Sequence, residues 1–198
     1  ADPRQVYFPV ALSPVYRYAS AAHICAAPLE LQIKAITLLD KSAISVLSVL
    51  SNPAYMIPIN WDKIMNLVNG VTLFVTTTQQ LNSLFKNRTE DLDEMCQVLK
   101  ANGLAYLVII DKAKAYQLCD LQAKKMIFVP QYPAAIVDPT GMEEAFCGGL
   151  VAGLRRNQDP VEAMLFGSVI ASIKGEGCGP FYPLDVTPGL INARIAHI

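Results

Sequence analysis

The stretch that decides the fold runs Asp138-Pro139-Thr140-Gly141-Met142-Glu143-Glu144-Ala145-Phe146-Cys147-Gly148-Gly149. It predicts the beginning of a helix that extends from Gly141 to Arg155. The four residues from Thr140 to Glu143 fit the capping-box pattern S/T-x-x-E, in which the two side chains accept hydrogen bonds from unpaired N–H groups at a helix start. We therefore expect Thr140 to be the N-cap of this helix, with Glu143 as its partner in the capping box.

Outward from this stretch, short apolar runs alternate with helical patterns, which predicts an α/β layer structure with parallel strands. Strands are predicted at Val6 to Leu12, Ala21 to Ala26, Ala43 to Leu50, Val71 to Val75 and Leu104 to Ile110. Helices are predicted at Pro28 to Leu39, Trp61 to Val68, Thr77 to Lys86, Glu90 to Ala101 and Pro160 to Lys174, the last with Asp159 as its N-cap. Ala115 to Cys119 and Lys125 to Val129 predict an antiparallel hairpin, and the tail from Gly175 predicts a loop that ends in a short helix.

Composition limits the classes of protein that the chain can belong to. Its 198 residues are 53% hydrophobic and 17% charged, enough for one globular domain with a substantial core. The 16 basic and 17 acidic residues are spread along the chain, so nothing favours a nucleic-acid or anionic-membrane surface. No uninterrupted apolar run reaches the roughly 20 residues of a membrane-spanning helix. Small ligands and protein partners remain open.

The five cysteines are far apart and form no CxxC pair, and the chain has two histidines. This pattern favours reduced thiols over a zinc site or a disulfide framework. It therefore favours an intracellular compartment, cytoplasmic or organellar.

The stretch from Asp138 to Gly149 resembles the C-terminal signature D-P-T-G-A-G-D-A-F-C-G-G of ribokinase-type (PfkB) carbohydrate kinases, with nine of twelve positions in agreement. The order of predicted elements from Ala21 onward is also similar to that family. The resemblance implies a ribokinase-like three-layer α/β/α fold with a mostly parallel sheet, forming a single partial domain over residues 1–198. It also implies ATP and Mg²⁺ as cofactors if the protein is active, and none otherwise.

In the family, backbone N–H groups at this helix start stabilise the transferred phosphoryl group, and the following Asp deprotonates the substrate hydroxyl. The resemblance places the anion hole at Gly141, Met142 and Glu143, and the base at Glu144. All three disagreements fall here: Met replaces Ala, Glu143 replaces Gly, and Glu144 replaces Asp. An anion at the glycine position opposes a phosphate, and a longer carboxylate misplaces the base.

Two more family motifs have counterparts in this chain. The magnesium motif N-x-x-E corresponds to Thr76 and Gln79, neither of which carries charge. The nucleotide motif T-x-G-x-x-G corresponds to residues 109–114, where both glycines are absent and Asp111 and Lys114 stand at nucleotide-binding positions. Neutral oxygens are poor substitutes for a carboxylate in magnesium binding, so the resemblance implies weak metal affinity.

For four residues near these motifs we prefer a structural interpretation. His23 is expected to be a hydrogen-bonded strand residue, although a ligand role stays conceivable. Cys147 is expected to pack in the core. Gly148-Gly149 is expected to let the helix approach the sheet closely.

The favoured hypothesis is a catalytically impaired homologue with a structural or regulatory role. Relatives begin with an N-terminal segment that has no counterpart here, so we expect an exposed sheet edge to be covered by a second copy, another protein or that segment. The first alternative is an active sugar or nucleoside kinase with Glu144 as general base. The second alternative is a protein that binds a sugar or nucleotide without reaction.

Overall fold

The computed structural model describes residues 16, 18–39, 43–111, 115–156 and 159–197. Its centre is a six-stranded sheet whose strands follow one another in chain order. The strands are β1 (Ala21–Ile24), β2 (Val46–Leu50), β3 (Leu73–Thr76), β4 (Tyr106–Ile110), β5 (Ala115–Asp120) and β6 (Lys125–Pro130). The first four are parallel, and β5 and β6 run antiparallel to their neighbours. The predicted order, the parallel core and the hairpin are confirmed.

The helices form a layer on each face of the sheet. They are α1 (Leu29–Leu38), α2 (Trp61–Asn69), α3 (Thr78–Leu84), α4 (Leu92–Ala101), α5 (Met142–Arg155), α6 (Pro160–Gly175) and α7 (Pro188–Ile195). Helices α1 to α4 connect successive strands and pack on one face, whereas α5 and α6 cover the other. The result is the three-layer α/β arrangement that the alternating pattern predicts.

Each face of the sheet has its own hydrophobic cluster, because successive side chains of a strand point to opposite faces. Leu107 and Ile109 of β4 face the layer of α1 to α4, while Val108 and Ile110 face α5 and α6. Side chains of a strand point alternately to opposite faces, so a strand covered on both sides is apolar throughout. All five residues of β2 are buried for this reason, although one of them is the polar Ser48.

A buried amide joins the carboxyl ends of the first two strands. Gln32 of α1 is fully buried and donates from Nε2 to the carbonyls of Cys25 and Leu50, each at 2.8 Å. Its Oε1 accepts from the Tyr55 hydroxyl at 2.7 Å. Each strand-end carbonyl and both ends of the amide are thereby satisfied, as burial requires.

Close contact between α5 and α6 depends on glycine. A Cβ atom added to Gly149 would lie 2.8 Å from the Cα of Gly167, whereas one added to Gly148 would meet no heavy atom within 4 Å. The prediction that this glycine pair brings the helix close to the sheet is therefore wrong. Gly149 allows close contact with α6 instead, and Gly148 is exposed. The prediction for Cys147 is confirmed, since it is fully buried.

Most predicted bounds agree with the structure to within a few residues. Asp159 caps α6 by accepting from the Val161 amide at 2.7 Å, as predicted. The tail contains a short 3-10 helix at Tyr182–Asp185 before α7. The predicted strand from Val6 to Leu12 lies outside the described residues. Within the described part of the chain, no helix is long and apolar enough to cross a membrane.

Candidate functional site

The helix start that carries the signature differs from the predicted capping box. The N-cap of α5 is Gly141, with φ of 82°, and no side chain makes a capping hydrogen bond there. This left-handed conformation suits glycine because it has no Cβ. The Met142 amide bonds to the carbonyl of Pro139 at 3.2 Å. The prediction of a helix start capped by Thr140 is therefore wrong, because the turn before the helix is closed by backbone instead.

Asp138 and a buried lysine hold this turn in place. The Asp138 carboxylate accepts from the Thr140 amide at 3.0 Å, and its other oxygen lies 3.7 Å from Nζ of Lys174. The hydrogen bond from Thr140 is the main reason that the pKa of Asp138 is lowered, and the lysine charge lowers it further. The Lys174 side chain is 5% exposed and also donates to the Gly177 carbonyl at 3.3 Å. The end of α6 thus supports the beginning of α5.

The two glutamates of the first turn face different neighbours at the carboxyl edge of the parallel strands. Burial raises the pKa of Cys25, which follows β1, and the negative charge of Glu144 raises it further. Burial also raises the pKa of Tyr116 to about 12, with smaller contributions from Cys147 and Glu143. Glu144 is thus close to the end of β1, while Glu143 is close to Tyr116, which pairs with the last residue of β4.

A cavity of about 630 Å³ lies at this same edge, between α3, the loop after β2 and the end of β4. Gln79 and Asp111, which sequence motifs assign to the metal and the nucleotide, both line it. Thr76 is fully buried beneath it, and its hydroxyl donates to Oε1 of Gln80 at 3.3 Å. Lys114 lies outside the described residues. The structure therefore brings two of the assigned side chains together and withdraws a third into the core.

Gln80 and Ser51 are polar residues of this region that the sequence motifs do not mark. The Gln80 amide oxygen accepts from the hydroxyls of Ser51 and Thr76, and its backbone N–H is capped by Thr77 Oγ1 at 3.2 Å. The capping relation between Thr77 and the residue three positions later is visible in the sequence as T-x-x-Q. The contact with Ser51 joins two segments that are far apart in the chain, so no local sequence pattern predicts it.

The two positions that match the magnesium motif, Thr76 and Gln79, offer no carboxylate to a magnesium ion. In the described residues, no three His, Cys, Asp or Glu side chains come close enough together to hold a metal. The Thr76 hydroxyl is engaged with Gln80, and Gln79 offers a neutral amide. Magnesium prefers carboxylate and phosphate oxygens in octahedral geometry, so these residues provide little for it.

His23 lies on β1 beside this edge, and one of its two ring nitrogens has a hydrogen-bond partner. Its Nδ1 is 3.0 Å from the Ser48 hydroxyl, whereas its buried Nε2 has no hydrogen-bond partner among the residues that the structure describes. Burial lowers the pKa of His23 to about 4, so the ring is neutral at neutral pH. The prediction of a hydrogen-bonded strand histidine is confirmed.

Comparison with solved structures identifies the fold as that of the ribokinases and nucleoside kinases. The nucleoside kinase of Methanocaldococcus jannaschii, an archaeal member of the ribokinase family, is similar with a TM-score of 0.71 at 15% identity, over 90% of this chain and 56% of that one. The ribokinase of Arabidopsis thaliana, solved with ribose and ATP, is similar with a TM-score of 0.70 at 16% identity, over 95% of this chain and 61% of that one.

Sequence comparison then gives the family. Residues 15–183 match the pattern of the pfkB family of carbohydrate kinases, and the chain belongs to that family. A cytidine kinase of Thermococcus kodakarensis is 27% identical over 154 residues, which are 77% of this chain and 54% of that protein. The chain thus spans about half the length of this curated relative.

Proposed function

We propose that this protein is a catalytically impaired PfkB homologue that serves as a structural or regulatory subunit. The observation that carries the proposal is the chemistry of the α5 start. Glu143 places a carboxylate, and Met142 a bulky side chain, where the family pattern has Gly and Ala. An oxyanion site stabilises charge only if its N–H groups can approach a phosphate closely, and both an anion and extra bulk prevent this.

The orientation of Met142 agrees with a role in packing. Its Sδ lies 2.8 Å from where a Cβ of Gly175 would stand, so the side chain fills the space at the end of α6. Together with Asp138 and Lys174 it fastens the helix start to α6. The position that helps transfer a phosphoryl group in the family therefore supports a helix contact here.

The cavity at the strand ends supports the same proposal. The positions that match the family's magnesium motif hold a buried hydroxyl and a neutral amide, and residues 109–114 lack both glycines of the nucleotide motif. Phosphoryl transfer needs both the carboxylate at the metal position and the glycines at the nucleotide position, and this chain lacks both. Each loss weakens the binding of a magnesium nucleotide.

A subunit role is further supported by the edge of the sheet. Strand β1 has one strand neighbour among the described strands, and its four residues are only half-buried. Exposed edge strands are sites of association unless something covers them. A second copy of the chain, another protein or a further segment of the gene product would bury this edge.

The test is isolation of the native full-length gene product, followed by light scattering and by an assay of ADP formation with ATP, Mg²⁺ and a panel of sugars and nucleosides. We expect an assembly with a second copy or another protein, and no substrate-dependent ADP. A stable monomer that phosphorylates a sugar or nucleoside would contradict the proposal.

The second candidate function is an active sugar or nucleoside kinase with Glu144 as general base. One observation favours it: the N-cap of α5 is the left-handed Gly141, which has no side chain. No N-cap side chain therefore competes with a phosphate for the N–H groups at the helix start. In this case Glu144 would act from its position near the end of β1, where Cys25 experiences its charge. Substitution Glu144→Gln would then abolish turnover, while the isosteric change Gln79→Glu would not reduce it.

A further inference from the structure

A groove remote from the candidate site contains two thiols side by side. It lies between α4 and the β5–β6 hairpin, has a volume of about 840 Å³, and is lined by both Cys96 and Cys119. Cys119 pairs with Leu107, near the beginning of β4. The candidate site lies beyond the other end of that strand, so the groove is separate from it.

The two thiols lie in one apolar cluster as well as in one groove. Cys119 of β5 is part of the buried core, Cys96 of α4 packs against it, and each thiol shifts the pKa of the other. Cys119 accepts from Nε2 of Gln117 at 3.6 Å. Both cysteines are reduced in the structure; Cys119 is 3% exposed, and Cys96 is partly exposed. Both cysteines line the groove, so a molecule as small as hydrogen peroxide has access to either sulfur from it.

The surrounding hydrogen bonds give the two thiols different acidities. The neighbouring Cys96 thiol is the main cause that lowers the pKa of Cys119; burial opposes it, and the hydrogen bond from Gln117 lowers this pKa further. The same neighbour is the main cause that raises the pKa of Cys96, and burial raises it further. The thiolate is the reactive form of cysteine, and the Gln117 amide donates to the Cys119 sulfur, so Cys119 is the sulfur that reacts first and Cys96 is its resolving partner.

We propose that Cys96 and Cys119 form an oxidisable dithiol, which peroxide converts into an intramolecular disulfide that joins α4 to β5. The Cys119 thiolate attacks one oxygen of hydrogen peroxide, which breaks the O–O bond, gives a sulfenic acid and releases hydroxide that takes up a proton as water. The Cys96 sulfur then attacks the Cys119 sulfur, which breaks the S–O bond, and the departing oxygen leaves as a second water. Two thiols and one peroxide thus give one disulfide and two waters.

The other cysteines provide internal controls for this proposal. Cys147 is fully buried, whereas Cys25, which follows β1, and Cys178, on the segment that follows α6, are exposed. The two exposed thiols lie outside the groove, so they show how readily peroxide oxidises a surface cysteine of this protein. The proposal stands apart from the question of phosphoryl transfer, because the groove and the candidate site share no residue.

The test is peptide mapping of the reduced full-length protein after exposure to hydrogen peroxide, with remaining thiols alkylated under denaturing conditions. We expect one linked peptide pair containing Cys96 and Cys119, a mass loss of two hydrogen atoms, and a raised midpoint of thermal unfolding that dithiothreitol reverses. The Cys178→Ser variant should give the same linked pair. The Cys96→Ser variant should instead accumulate a Cys119 sulfenic acid that dimedone traps.

Three outcomes would overturn the proposal. The first is a wild-type protein in which both thiols stay alkylatable after Cys178 has been oxidised. The second is a disulfide between chains. The third is a sulfinic or sulfonic acid on one of the two cysteines with the other thiol still free. The peptide map of the wild-type protein tests the proposal even if Cys96→Ser fails to fold.

Discussion

Replacement of Gly149 by Ala tests how closely α5 and α6 must approach. The new Cβ would lie 2.8 Å from the Cα of Gly167 and 3.3 Å from the Cβ of Ile170. The nearest atom is backbone and cannot rotate away, so the helices must move apart. Overpacking of this kind typically costs about 1–3 kcal/mol, while Ala gains up to about 1 kcal/mol over Gly in helix propensity.

Gly148→Ala is the matched control because it stands next in the same helix with no heavy atom within 4 Å of the new Cβ. It receives the propensity gain alone and should stabilise the fold by about 0.5–1 kcal/mol. The difference between the two variants therefore isolates the packing penalty, about 1–3 kcal/mol. Urea unfolding followed by far-UV circular dichroism measures it. Equal stability of Gly149→Ala and Gly148→Ala would refute the close contact between α5 and α6.

Further perturbations address the strand ends and the turn before α5. Burial lowers the pKa of His23 to about 4, so the unfolded state binds this proton more readily than the folded state does. The contribution of His23 to the free energy of unfolding is therefore largest above about pH 6.5. It should fall by about 3 kcal/mol as the pH drops to 4. Urea titrations should show this loss in wild type and in His197→Asn but not in His23→Asn, and an equal loss in all three would contradict it. Gln32→Leu leaves two strand-end carbonyls without a donor and should cost about 2–4 kcal/mol, measurable by the same titration against an exposed Gln97→Leu control. Lys174→Met removes the buried cation beside Asp138 and should lower stability by about 1–3 kcal/mol; an unchanged thermal midpoint would show that the turn holds without it.

Local pattern was sufficient to predict the scaffold. The alternation of apolar runs and helical periodicity placed four parallel strands and an edge hairpin, because both periods are properties of consecutive residues. Asp159 before Pro160 marked the start of α6 for the same reason: a cap and its N–H partner are two residues apart.

The details of the candidate site depended on contacts between distant segments. Thr140 to Glu143 has the spacing of a capping box, yet the helix begins one residue later, where left-handed Gly141 and support from Asp138 and Lys174 close the turn. Likewise, Gly149 needs Gly167 on another helix before its role is evident. Neither partner can be inferred from spacing along the chain, because tertiary packing chooses between locally acceptable conformations.

Catalytic impairment is tested most directly by single-turnover transfer of labelled γ-phosphate from ATP. The full-length protein is in excess over nucleotide, and Mg²⁺ is present with cytidine, ribose or fructose. The wild type and Glu144→Gln are compared with a variant that restores the family pattern at Met142→Ala, Glu143→Gly and Glu144→Asp. We expect the wild type to transfer no more phosphate than Glu144→Gln does. Transfer by the wild type that Glu144→Gln abolishes would contradict this expectation.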